Sequence, residues 1–191
     1  MKRSWWSLLA GWGVMIGVGM SSTVRGSDAR RELQLPTPAY HYTADELPAH
    51  FRAPAAIAFD NTPEGNPLTN AGVTLGRVLF YDTRLSASGT VSCGSCHLQS
   101  RAFTDGRKFA VGHQGGVTDR NSMSLVNLRY SKAGKFWDER AATLEEQVLM
   151  PLQNRVEMGH ELPQIESIVR SDERYGVLFA EAFGETEVSA E

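Results

Sequence analysis

Cys93-Gly94-Ser95-Cys96-His97 holds both cysteines of the 191-residue chain. The spacing is C-x-x-C-H, the pattern of a c-type haem attachment site. The chemistry explains it. Two thiols one helical turn apart can add to the two vinyl groups on one edge of a porphyrin. The next residue, His97, then falls under the ring as proximal ligand to the iron. A disulfide, a zinc pair and a redox pair compete with this reading. Zinc asks for four ligands, and here two thiolates and one imidazole leave the fourth unassigned. A C-x-x-C redox centre expects a βαβ setting, and no alternation of strands and helices is visible.

The N-terminus fits an exported haem protein. Lys2 and Arg3 precede an uncharged run from Trp5 to Met20, followed by small residues around Gly26. That is the layout of a signal peptide over residues 1–26, with an uncleaved anchor as the alternative. The expected location is periplasmic. Removing residues 1–26 takes away Lys2, Arg3 and Arg25 and no acid, so net charge moves from −3 to −6. No basic run follows, which argues against a nucleic-acid partner. The remaining chain fits one domain and can bury an adequate core.

Along the chain the pattern is helical. Residues 27–68 are rich in Pro and Ala and read as an extended arm, with one turn near Thr43–Ala49, where Thr43 and Glu46 match a capping box. The domain proper spans 69–191. Thr69–Tyr81 is a predicted helix with Val73, Val78, Leu79 and Phe80 on its apolar side. Ser92–Leu98 is the short attachment helix. Residues 101–120 form a glycine-rich loop. Thr143 and Glu146 cap a helix that Pro151 ends or kinks. Pro163 opens a helix through Ile165, Ile168 and Val169. Asp172–Phe183 is the last, with Tyr175, Leu178, Phe179 and Phe183 inward and Gly184 as its stop. The fold expected is all-α, a cytochrome c-like haem domain behind an extended N-terminal arm.

Several strings together resemble the N-terminal half of the bacterial di-haem cytochrome c peroxidases, whose superfamily includes the methylamine-utilisation di-haem enzymes (MauG). They are Leu75-Gly76-Arg77-Val78-Leu79-Phe80-Tyr81-Asp82, Leu85-Ser86 and the haem motif. Further along come Arg120-Asn121-Ser122, Phe136-Trp137-Asp138, Arg140-Ala141, Glu146-Gln147 and Val156-Glu157-Met158. The likeness runs from about Gly72 to Phe183. It implies a second C-x-x-C-H in a C-terminal half, and on that expectation the chain is truncated and would not sustain turnover alone.

The resemblance implies roles. Cys93 and Cys96 carry one covalent haem c, with a second haem expected in the missing half. His97 is the proximal ligand of the peroxidatic haem. His113, in its glycine-flanked loop, matches a distal histidine that holds the sixth iron position at rest, for which Met150 and Met158 compete. Glu157 and Gln147 match the polar pair at the peroxide site, the carboxylate as general base and then acid. Trp137, beside Phe136, matches an aromatic between the haems, and Asn121 a residue of an interdomain calcium site. On the residues alone each has an ordinary alternative: a solvated loop histidine, a surface acid, a core aromatic, a hydrogen-bonded asparagine. His41, His50 and His160 carry no pattern and read as surface residues. The function implied is reduction of hydrogen peroxide to water with electrons from a small redox protein, a cytochrome c or cupredoxin, and a homodimer for the full-length form. The alternatives are a non-enzymatic electron-transfer cytochrome and oxidation of a protein substrate, the latter weakened by His113, since an open iron site would suit it better.

Overall fold

The computed structural model describes Leu35 and residues 40–42, 46–184 and 188. The signal-peptide region and Thr43 of the first capping box lie outside the described residues. Among the described residues there is no strand, only the isolated bridges Leu98 to Thr104, Val111 to Val117 and Lys135 to Ala141. The fold is all-α. Its α-helices are α1 (Pro54–Ile57), α2 (Asn70–Tyr81), α3 (Cys93–Cys96), α4 (Leu144–Gln153), α5 (Leu162–Arg170) and α6 (Glu173–Phe183).

The α2 helix starts where its cap is. Thr69 accepts a hydrogen bond from the Gly72 amide at 3.0 Å, satisfying a donor the first turn leaves free. Val78 and Leu79 pack on the core as expected, but Leu75 sinks deepest on this helix. Phe80 turns elsewhere, into a ring cluster with Tyr81, His97 and Phe103. Among the helices α2 packs most extensively against α6. There Tyr175 and Leu178 are each 1% exposed. Burying a leucine of this kind contributes about 1.5–3 kcal/mol. Phe183 departs from expectation and is 59% exposed. It follows Leu178 by five residues, about 140° around the helix, and Ala182 takes the inner place.

Polar groups clamp the same pair of helices. Asp82 follows α2 and accepts from the Tyr175 hydroxyl at 2.7 Å. Arg84 joins Asp82 to Asp172, the N-cap of α6. Burial alone would raise the Asp82 pKa, but the bonds from Arg84 and Tyr175 outweigh it and hold the carboxyl below its ordinary value. Arg174 and Arg84 hold Asp172 below the usual carboxylate range.

Pro151 does not end α4, which runs on to Gln153. The Thr143 cap forms, accepting from the Glu146 amide at 3.1 Å. The Glu146 carboxylate reaches back one residue further than a capping box requires, to the Ala142 amide. Among the described residues of the arm, the helical turns are Ala49–Phe51 and α1, with Pro48 and Pro54 where each turn begins. The arm docks on the turn Leu128–Tyr130. Asn61 donates to the Leu128 and Ser131 carbonyls, both at 2.8 Å. Asp60 pairs with Arg129, and Phe51 stacks on Tyr130 with ring centroids 4.7 Å apart.

Candidate functional site

A cleft of about 1180 Å³, including its open mouth, lies beside α3. Its enclosed space is about 160 Å³, and the rest of that volume is open toward solvent. The C-x-x-C-H residues enter it from one side, Gln147 from α4, and Glu157 from the turn after α4. Thus Cys93, Cys96, His97, Gln147, Glu157 and Trp137, separated in the chain, line one cavity.

The attachment helix is built for its place. Ser92 and Ser95 form a reciprocal capping box around its single turn. The two thiols are free and half-buried. Burial pushes both thiol pKa values up, and the negative charges of Asp105 and Glu157 add to the shift at Cys96. His97 Nδ1 is 2.8 Å from the Phe103 carbonyl. With only a carbonyl opposite, Nδ1 must be the protonated nitrogen, which leaves the Nε2 lone pair for a metal. A backbone carbonyl is a usual outer partner of a ligating imidazole. Ala102 and Phe103 both adopt left-handed backbone, φ 53° and 58°, to aim that carbonyl. Such residues cost on the order of 1–3 kcal/mol each and cluster at functional sites. The thiol pair, the free imidazole nitrogen and the largely apolar wall fit a covalently attached haem.

Glu157 is half-buried. Burial raises its pKa, Arg140 opposes the rise, and Asp119 adds to it. Its backbone is held firmly: the carbonyl accepts from the His113 amide at 3.0 Å and the amide donates to Asn154 Oδ1 at 3.3 Å. Gly112 makes this approach feasible, since a Cβ there would collide with the Val156 carbonyl. Gly112→Ala is therefore expected to destabilise the chain by about 1–3 kcal/mol. Thermal denaturation of the two proteins measures the difference.

His113 is neither solvated nor in the cleft. It is 8% exposed, with Nε2 3.2 Å from the Arg155 carbonyl. Its ring nests against Gly159, where φ is +72° and a Cβ would strike the imidazole. Nδ1 is buried and has no hydrogen-bond partner. Of the two methionines, Met158 lines the cleft and belongs to the core, while Met150 does not line it. Trp137 is no core aromatic: it is 61% exposed on the rim, donating to the Asn121 carbonyl at 3.4 Å. Asn121 is exposed on the same rim. Among the described residues no group of three or more His, Cys, Asp or Glu could hold a metal ion. His41 and His50 are exposed, whereas His160 is half-buried, with Nδ1 3.0 Å from Gln164 Oε1.

Sequence reasoning missed three cations of the cleft, Arg120, Lys135 and Arg140. Arg140 lies 3.5 Å over the Phe136 ring. It and Arg120 stand in the quoted strings, but nothing in those strings indicates which way the side chains turn.

The profile of the family described as di-haem cytochrome c peroxidase matches residues 70–191. The chain is 36% identical over 139 residues to a methylamine utilization protein MauG of Methylophilus methylotrophus, covering 73% of this chain and 40% of that protein. It is 39% identical over 136 residues to a cytochrome c551 peroxidase of Pseudomonas aeruginosa, covering 68% and 39%. A solved MauG-like protein associated with microbial copper homeostasis superposes with a TM-score of 0.62 at 36% identity, covering 76% of this chain and 41% of that one. The chain thus spans about two fifths of the length of these relatives. The likeness to the solved structure makes the helical body a cytochrome c-like domain.

Proposed function

The chain belongs to the di-haem cytochrome c peroxidase family, and we propose that it carries one covalent haem c and reduces hydrogen peroxide to water with electrons from a small redox protein. One observation carries the reading: two free thiols, an imidazole tautomerically set for metal binding and a carboxylate of raised pKa line one cleft.

Cys93 and Cys96 would hold the haem and His97 Nε2 its iron. When bound, the haem supplies iron that exchanges electrons with peroxide. Glu157, deprotonated, takes a proton from the nearer peroxide oxygen and returns it to the departing one. Gln147 offers an amide that holds peroxide or water without competing for the proton. Splitting peroxide into two waters consumes two electrons and two protons, which the donor protein and solvent provide. A cytochrome c or cupredoxin is the donor class.

His113 acts in this proposal as a gate. Its Nδ1 is buried without a partner, and a buried unpaired group costs about 1–3 kcal/mol. That cost makes the loop easier to displace toward the iron. Trp137 on the rim serves the electron path. Calcium at Asn121 would draw its other oxygens from outside the described residues. We further propose export to the periplasm, from the charge and hydropathy pattern of residues 1–26, and a second haem and a homodimer in the working protein.

A second reading, oxidation of a protein substrate, is favoured by His113 lying off the cleft, since an open sixth site suits that chemistry. Peroxide plus a donor cytochrome tests the first reading in the protein that carries both haems; steady donor oxidation is expected there, and its absence with an intact donor would turn the choice to the second.

The haem itself is tested first. Protein made with a cytochrome c maturation system should give a haem-staining band at full mass on a denaturing gel. Cys93→Ala or Cys96→Ala should weaken the stain. A colourless wild-type band would overturn the proposal.

A further inference from the structure

Three cations line the cleft, and two are accounted for. Arg120 and Arg140 share Asp138, at 2.9 and 2.7 Å. Lys135 differs. It is 6% exposed. Its ammonium donates to the Ser131 and Ala133 carbonyls at 2.8 and 2.9 Å. Among the described residues no carboxylate forms an ion pair with it.

An ammonium has three donors, and two are used. A buried cation without a counter-ion is costly to desolvate. Two carbonyl dipoles offset part of that cost. The chain forms a tight loop to hold the lysine there: its amide donates to the Ala141 carbonyl at 2.6 Å, and Ala141 is fully buried. Among the described residues no acid supplies the remaining anion, and a ligand in the cleft that Lys135 lines can supply it.

We propose that Lys135 is the buried counter-ion of a haem propionate. The inference rests on the haem reading above. The propionates are the only carboxylates of the porphyrin, and they lie on an edge away from the vinyl groups that the thiols take. Lys135 would therefore fix which way round the ring sits before any covalent bond forms, as a positioning residue.

The test uses the full chain with reduced thiols, titrated with hemin and with hemin dimethyl ester, whose propionates carry no charge. Absorbance reads both affinities. Wild type should prefer hemin. Lys135→Met should weaken hemin binding roughly tenfold to a hundredfold, the worth of a hydrogen bond to a charged group, and leave ester binding unchanged. Lys135→Arg should keep the preference. Lys135→Gln, which retains donors for the two carbonyls but no charge, should lose it, and it stands in if Lys135→Met fails to fold. Equal losses for hemin and ester would make Lys135 a cap of the turn and overturn the proposal, as would no change for either. A wild-type chain that binds neither probe defeats the haem reading itself, and the proposal with it.

Discussion

Glu157→Gln should slow the reaction of the haem-loaded chain with peroxide by about a hundredfold to ten-thousandfold, the usual worth of a general acid–base group. Haem content should not change. Gln keeps the size and hydrogen bonding of the side chain but accepts no proton. Stopped-flow spectroscopy of the Soret band measures the rate directly and needs no donor protein. The pH dependence carries the same signature. Burial raises the Glu157 pKa, so its acid limb should lie above the ordinary glutamate value of about 4.3. The base form is the active one, so the rate should climb as pH rises through that limb. In Glu157→Gln the limb should vanish. A loss of less than about threefold would place Glu157 outside the proton path on this scale. Gln147→Ala should lose less, since an amide positions and does not titrate.

Tyr175→Ala should remove about 3–5 kcal/mol of stability, the range for deleting a buried aromatic ring. Tyr175 is 1% exposed between α2 and α6, and its hydroxyl binds Asp82. Tyr175→Phe separates ring from hydroxyl and should cost about 1.5–3 kcal/mol, as a bond to a charged acceptor. Urea denaturation at neutral pH measures both. Acid sharpens the comparison. Asp82 and Asp172 have lowered pKa values in the fold. Their contribution is therefore present above the ordinary aspartate value of about 3.9 and fades as pH falls through the lower folded values. The gap between wild type and Tyr175→Phe should shrink over that window. A gap independent of pH would mean the hydroxyl works without the carboxylate.

Local chemistry made most of the helices legible. Thr69, Thr143, Asp172 and Gly184 act within one turn of themselves, so their sequence signals survive tertiary packing. Pro151 does not end its helix, because the helix outlasts the one bond a proline removes. Phe183 misled because apolar character says nothing of angle once a helix outruns its partner. At the site, the haem motif was readable because attachment chemistry demands fixed spacing. Glu157, Gln147 and Trp137 came only through resemblance, since their meeting depends on loops between residues 99 and 143. That His113 turns away from the cleft and that Lys135 is buried were not readable, because both are held by backbone carbonyls, and a carbonyl carries no residue identity.

The docked arm bears on the order of folding. Asn61 reaches its two carbonyls across 67 and 70 residues of chain, and Ser131, one of the two acceptors, also holds Lys135. Contacts so distant in sequence close slowly, because a long loop must lose its freedom first. The wall carrying Leu128 and Lys135 should therefore set late, after α3 has formed its own single turn. Until it does, the thiols of Cys93 and Cys96 stay open to whatever delivers their ligand. An Asn61→Ala chain should prolong that interval, seen as slower burial of both cysteines against a thiol reagent during refolding.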